Sequence, residues 1–165
     1  MYTKKGTSLI ELILYIAIIS IFLTGMILFT WDLVYGRVKT NIQQEVTYNI
    51  SLASKRLQYD IKNADGVNKT DGSTLSLNYA VSDPWRDPTI FSLENGRIMV
   101  QTGSNDPYPL TGNRVVVTDL NFTQHSITPE TENVEFYMRV QSASSGRQEL
   151  EKFETYTTSV EVRSL

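Results

Sequence analysis

The chain has 165 residues, 41% of them hydrophobic and 20% charged, with a formal net charge of −3. It has no Cys and one His, His125, which excludes disulfide frameworks, Cys-based metal clusters, thiol nucleophiles and His-rich metal sites. The mild acidity, with Lys and Arg dispersed among acids, argues against nucleic-acid binding as the main activity.

The charge is unevenly placed. Residues 12–31, LILYIAIISIFLTGMILFTW, carry none. These 20 residues, at about 1.5 Å each, cross a hydrocarbon core about 30 Å thick. Their Leu, Ile and Phe residues contribute on the order of −6 kcal/mol of insertion, at about −0.5 kcal/mol each. That carries Ser20, Thr24 and Gly25 with it. In lipid the run must be helical, because no water is there to satisfy its backbone. Three readings compete. A cleaved secretory signal has a shorter apolar core and then a small-residue site, whereas residues 26–31 continue apolar here. A single-span anchor fits the length. The third reading rests on the residues just before the span.

Those residues are Lys4-Lys5-Gly6-Thr7-Ser8-Leu9-Ile10-Glu11-Leu12. A basic leader ends in Gly, a few neutral residues follow, and one Glu precedes the apolar run. This resembles the type IV prepilin signal. The resemblance implies cleavage after Gly6 by a prepilin peptidase on the cytoplasmic face, with methylation of the new N-terminal amine at Thr7. The family usually has Phe where Thr7 stands. Glu11 becomes the fifth mature residue. A carboxylate beside a membrane span is a functional candidate by default, although the helix dipole also favours an acid in a first turn. The resemblance gives Glu11 an assembly role. It would pair with an N-terminal amine, its own or a neighbour's, and so set register in a bundle of helices. Lys4 and Lys5 favour a cytoplasmic N-terminus, while Arg37 and Lys39 pull weakly the other way, partly offset by Asp32. The prepilin pattern places the N-terminus inside.

Beyond the span, Val34, Val38, Ile42, Val46, Ile50, Ala53, Leu57, Ile61 and Ala64 recur at steps of four or three. This is one apolar stripe of an amphipathic helix, on which a sheet is expected to lie. The helix is predicted from about Leu9 to Ala64, ending at Asp65-Gly66 with Gly66 as a left-handed cap. Residues 55–64, KRLQYDIKNA, resemble a segment of J-type minor pseudopilins, in which Arg-Leu precedes Asp-Ile and Asn-Ala.

After Gly66 the period changes to two. Strands are predicted at residues 74–79, 90–93, 97–101, 114–123 with a kink at Asp119, 133–141 and 153–163. Asn95-Gly96 between two apolar runs is a strong hairpin signal. The alternation fits an antiparallel sheet with one face on a helix and one toward water. The expected fold is therefore α+β and pilin-like: a long N-terminal α-helix, transmembrane in its first half, packed on a C-terminal antiparallel β head. The expected organisation is a leader at 1–6, a transmembrane helix at 7–32, its amphipathic continuation at 33–65 and a β-rich head at 66–165.

The search for chemistry returns no catalytic residues, no metal site and no cofactor. Ser144-Ser145-Gly146 has no nucleophile-elbow pattern. His125 sits among polar residues as an exposed side chain would. Asn63–Gly66 and Asn68–Gly72 lack the alternating ligands and distal Glu of a calcium loop, and Asp83, Asp87 and Asp106 have turn-forming neighbours. Trp85, Tyr108 and Tyr79 read as core or sheet-face packing, or as a partner surface.

The function implied by the resemblance is structural. It is that of a minor pilin or pseudopilin, incorporated into, priming or capping a type IV pilus-like filament. Major pilins usually carry a Pro within the membrane helix and often a Cys pair in the head; this chain has neither between Leu9 and Ala64 nor in the head. The implied partners are sister pilins, the prepilin peptidase and the inner-membrane assembly platform. The implied location is the cytoplasmic membrane, with the head outside. The alternative is a single-span membrane-anchored binding module. An enzyme ranks third, for want of Cys, of paired acids and of any His beyond His125.

Overall fold

The computed structural model describes residues 8–80, 83–128, 131–143 and 151–162. It is α+β: a 54-residue helix, α1 (Leu9–Lys62), followed by antiparallel sheets. The chain divides into two units, Met1–Asn41 and Ile42–Leu165.

The first unit carries the N-terminal stretch of α1. The Ser8 carbonyl accepts from the amides of Glu11 (3.0 Å) and Leu12 (3.2 Å), which starts the helix. Large apolar side chains from Leu9 to Val38 are exposed all round, the pattern of a helix whose natural surroundings are themselves apolar. By length and composition α1 can cross a membrane.

In the second unit one stripe of α1 is buried: Val46, Ile50, Ala53, Leu57 and Ile61. The buried stripe is shorter than the sequence pattern, because Val34 and Val38 are exposed and Ile42 is half-buried. The helix end also differs from expectation. Gly66 is not left-handed; the helix closes with a tightened turn, Ala64 N–H donating to Ile61 O at 3.3 Å, and Gly66 opens a strand. A side chain at Gly66 would meet Asn78 Oδ1 at 3.0 Å, so the Asn78 side chain on the paired strand would have to give way.

Two sheets follow where one was expected. The first has five strands in sequence order: β1 (Gly66–Asp71), β2 (Thr74–Asn78), β3 (Thr89–Glu94), β4 (Arg97–Thr102) and β5 (Tyr108–Pro109). The second has three: β6 (Val115–Thr128), β7 (Thr131–Ser142) and β8 (Phe153–Glu161). A short 3₁₀ turn, η1 (Pro84–Arg86), precedes β3. Glu94 pairs with Arg97 across Asn95-Gly96, whose φ values of 50° and 72° are those of a tight primed hairpin. In β6 the register shifts between Val117 and Asp119, where the sequence suggested a kink. The amides of Val117 and Phe122 donate to Gly96 O (2.8 Å) and Gly72 O (2.7 Å), so β6 is tied to two hairpin turns of the first sheet.

The core lies between these sheets and the helix. Leu75 and Leu77 of β2, Phe91 of β3, Ile98 and Val100 of β4, and Val134, Phe136, Met138 and Val140 of β7 are fully buried. Phe136 lies 6.4 Å from the Phe122 ring and 6.0 Å from that of Tyr156. Strand β8 is tied to the helix by polar contacts. Gln58 Nε2 donates to Tyr156 Oη at 2.8 Å, and Thr47 Oγ1 donates to Glu154 Oε2 at 3.0 Å.

Removing the Phe136 ring opens a cavity at the centre of this core. Phe136→Ala should lower the unfolding free energy by about 3–5 kcal/mol, whereas Tyr48→Ala, on the exposed face of α1, should stay within about 0.5 kcal/mol. Denaturant unfolding of the full chain in detergent measures both. Equal losses would contradict this facing of the helix.

Candidate functional site

The processing residues inferred from the sequence, Lys4, Lys5, Gly6 and Thr7, lie outside the described residues. Glu11 is described. It is exposed in the first turn of α1, and the Tyr15 hydroxyl one turn later donates to its Oε1 at 3.3 Å. The next hydroxyls along the helix turn inward. Ser20, Thr24 and Thr30 donate to the carbonyls of Ile16 (2.7 Å), Ser20 (2.8 Å) and Met26 (2.8 Å). Such back-bonding spares each hydroxyl an unpaired proton where no water is present. Between Leu12 and Thr30 the helix therefore offers an apolar solvent nothing polar that is unsatisfied, and Glu11 stands at one end as its only acid. An exposed carboxylate in that position can bind a cation or an ammonium group.

A second constellation sits in the head. Asp60, near the end of α1, is fully buried between two arginines. Arg86 Nη2 lies 2.6 Å from Oδ1, and Arg56 Nε lies 2.6 Å from Oδ2. Tyr79 completes the group: its hydroxyl donates to the Asp60 carbonyl at 2.9 Å and accepts from Arg86 at 3.3 Å. The Arg86 guanidinium is 4.3 Å from the Tyr79 ring centroid, 5.6 Å from that of Trp85 and 5.7 Å from that of Tyr59. The turn η1 places Arg86, and Thr89 Oγ1 holds the Arg86 carbonyl at 2.7 Å. Asp87 Oδ1 accepts from the Tyr79 amide at 3.1 Å. Burial would lower the Arg56 guanidinium, but the Asp60 charge and hydrogen bond outweigh it, and the net direction is upward. The group fastens the end of α1 to β2 and to the turn before β3.

Arg56 and Asp60, one turn apart, were visible in the sequence as part of the pseudopilin-like segment. Arg86 was not, because it reads as one more scattered cation; an Arg just ahead of an Asp-Pro turn was the only signal. His125 is exposed as expected, 3.1 Å from Glu135 Oε2. Asp83 lies at the start of η1, its carbonyl accepting from the Arg86 amide at 3.0 Å. Among the described residues no group of three or more His, Asp or Glu is placed to hold a metal ion. Ser144, Ser145 and Gly146 lie outside the described residues.

Asp60→Ala would leave Arg86 buried without a counter-charge and should destabilise the head by about 3–5 kcal/mol. Asp60→Leu combined with Arg86→Met should recover most of that loss, since an apolar pair needs no desolvation of charge. Equilibrium unfolding of both variants is the check, and a double variant as weak as the single one would count against the pairing. Tyr79 adds a pH dependence. Burial, and then the Asp60 charge, push its phenol up to about 12, with Arg86 opposing. A folded value above the unfolded one means that this stabilisation is complete below about pH 10 and is lost as pH rises toward 12. Tyr79→Phe should lose about 1 kcal/mol at neutral pH and show a flatter alkaline decline. Denaturant midpoints followed from neutral to strongly alkaline pH test this, and an unchanged decline would assign it to another group.

No family model, curated protein or solved structure matches the chain. Its architecture stands on its own residues: a long apolar N-terminal helix packed against antiparallel sheets, an arrangement consistent with pilin-like folds.

Proposed function

We propose that the chain is a structural subunit, a minor pilin or pseudopilin, of a type IV pilus-like filament. One observation carries the reading. A helix that is uncharged and exposed over its membrane-length stretch opens with a single acid, Glu11, directly behind the leader-like residues Lys4-Lys5-Gly6. An anchor alone needs neither the acid nor the Gly at that spacing.

The proposed sequence of events follows from these residues. The precursor inserts with Lys4 and Lys5 on the cytoplasmic side. A prepilin peptidase cuts after Gly6 and the amine of Thr7 is methylated. The helix from Leu9 to Trp31 then passes from lipid into a bundle of sister helices. The hydrophobic cost is small, because both surroundings are apolar and its hydroxyls are already bonded within the helix. Glu11 is the exception. It exchanges its weak contact with Tyr15 for an ammonium group on its own or a neighbouring chain, and an unpaired charge in that setting is costly enough to select register. The head presents its surface to partner subunits.

Intact mass and N-terminal sequencing from cells with and without the peptidase test the proposal. The expected mature chain begins at Thr7 with one added methyl, and Gly6→Ala should abolish its formation. Glu11→Ala should leave cleavage intact and reduce co-purification of sister pilins at least tenfold, equivalent to about 1.4 kcal/mol. A chain that keeps Met1–Gly6 beside active peptidase would sink the filament reading and leave a membrane-tethered binding module.

A further inference from the structure

The polar tips along the first unit of α1 divide into two kinds. Tyr15, Ser20, Thr24 and Thr30 each donate to a partner within the helix. Trp31 and Tyr35 do not: among the described residues neither the indole N–H nor the phenol O–H has a protein partner. Both side chains are exposed, 57% and 46%. Their rings stack one turn apart, with centroids at 5.8 Å and planes at 28°. The first charge after the span, Asp32, lies between them, and Arg37 and Lys39 follow.

In hydrocarbon an unmet indole or phenol proton is costly. At the headgroup level the same groups find phosphate, ester carbonyl or water while the rings stay in apolar surroundings. The stretch that can lie wholly in hydrocarbon thus ends between Thr30 and Trp31. From Leu12 it is 19 residues, or roughly 28 Å, close to the thickness of a bilayer core.

We propose that the Trp31–Tyr35 stack is the interfacial anchor at the C-terminal end of the membrane span, seated among lipid headgroups, and that it fixes how deep the helix lies. The proposal rests on the membrane-spanning reading of α1. Its occupant is the bilayer interface, because the stack has two free donors beside an acid and two cations.

Trp85→Phe of the full chain leaves Trp31 as the sole Trp; Trp85→Tyr serves if that variant does not fold. The protein is reconstituted into phosphatidylcholine vesicles whose acyl chains are brominated either near the headgroup or near the methyl end, in both leaflets. Headgroup-proximal bromine is expected to quench Trp31 emission at least about twice as strongly as methyl-end bromine, the order for an indole in the aromatic belt. Stronger quenching from the methyl end would place the ring in hydrocarbon and overturn the anchor. Protein that floats with the vesicles yet is quenched by neither bromine would also overturn it, since the stack would then lie in water or under protein. Failure to float with vesicles at all would remove the membrane span itself, and the anchor with it.

Discussion

The hydrogen bonds of an α-helix close within its own backbone, and this frees one continuous element to serve two unlike environments. Away from its two ends the α1 backbone asks nothing of its surroundings, so side chains alone decide what each stretch can touch. The stretch from Leu12 to Thr30, in the first unit, is apolar on every face and can lie in any apolar medium. The stretch in the second unit is apolar on one stripe only and needs one specific partner, the sheets. No Pro interrupts either stretch, and the glycines at 25 and 36 have open space around them.

The two stretches also handle polar groups by different rules. In the first, the hydroxyls of Ser20, Thr24 and Thr30 donate to carbonyls four residues back and so disappear from view. In the second, buried polar side chains reach out to fix the head. Asn49 is the clearer case: Nδ2 donates to Glu45 O, and Oδ1 accepts from the Gly112 amide, both at 2.8 Å. One side chain thereby reaches from a helix carbonyl to the amide of the Gly112 loop and ties the two together. Glu11 obeys neither rule. Among the described residues its carboxylate has one side-chain hydrogen bond, a long contact with Tyr15, and it is exposed in the first helical turn.

Much of this was legible from spacing. The four-and-three recurrence from Val46 to Ala64 marked the buried stripe, and the alternation at Val134, Phe136, Met138 and Val140 marked the inner face of β7. Asn95-Gly96 gave its turn, because only such residues accept positive φ at both places. What spacing could not show were features with no periodic signature. Strand β1 reads GVNKTD and carries one apolar side chain, so its pairing with β2 defines it rather than its own pattern. Strand β5 has two residues. The division into two sheets depends on where β6 leaves the first set of strands, and no residue type encodes that. Val34 and Val38 continue the stripe in sequence yet are exposed, since periodicity states which side chains share a face and not where the partner surface begins.

The Asp60 group shows the same limit in the functional residues. Apolar side chains at Asp60 and Arg86 would fill the space without any desolvation of charge, so the ion pair is a poor choice for stability alone. What it adds is direction. An apolar contact between α1 and the turn before β3 would tolerate sliding. A carboxylate with one oxygen on Arg56 and the other on Arg86 accepts one arrangement. The Tyr79 hydroxyl on the Asp60 carbonyl and the Asp87 carboxylate on the Tyr79 amide extend that constraint into β2 and the following turn. As a result Trp85, 65% exposed beside Arg86, is held out on a turn whose position is fixed from beneath. The charges act through geometry: they set where an exposed aromatic side chain of the head, Trp85, stands relative to the end of its helix.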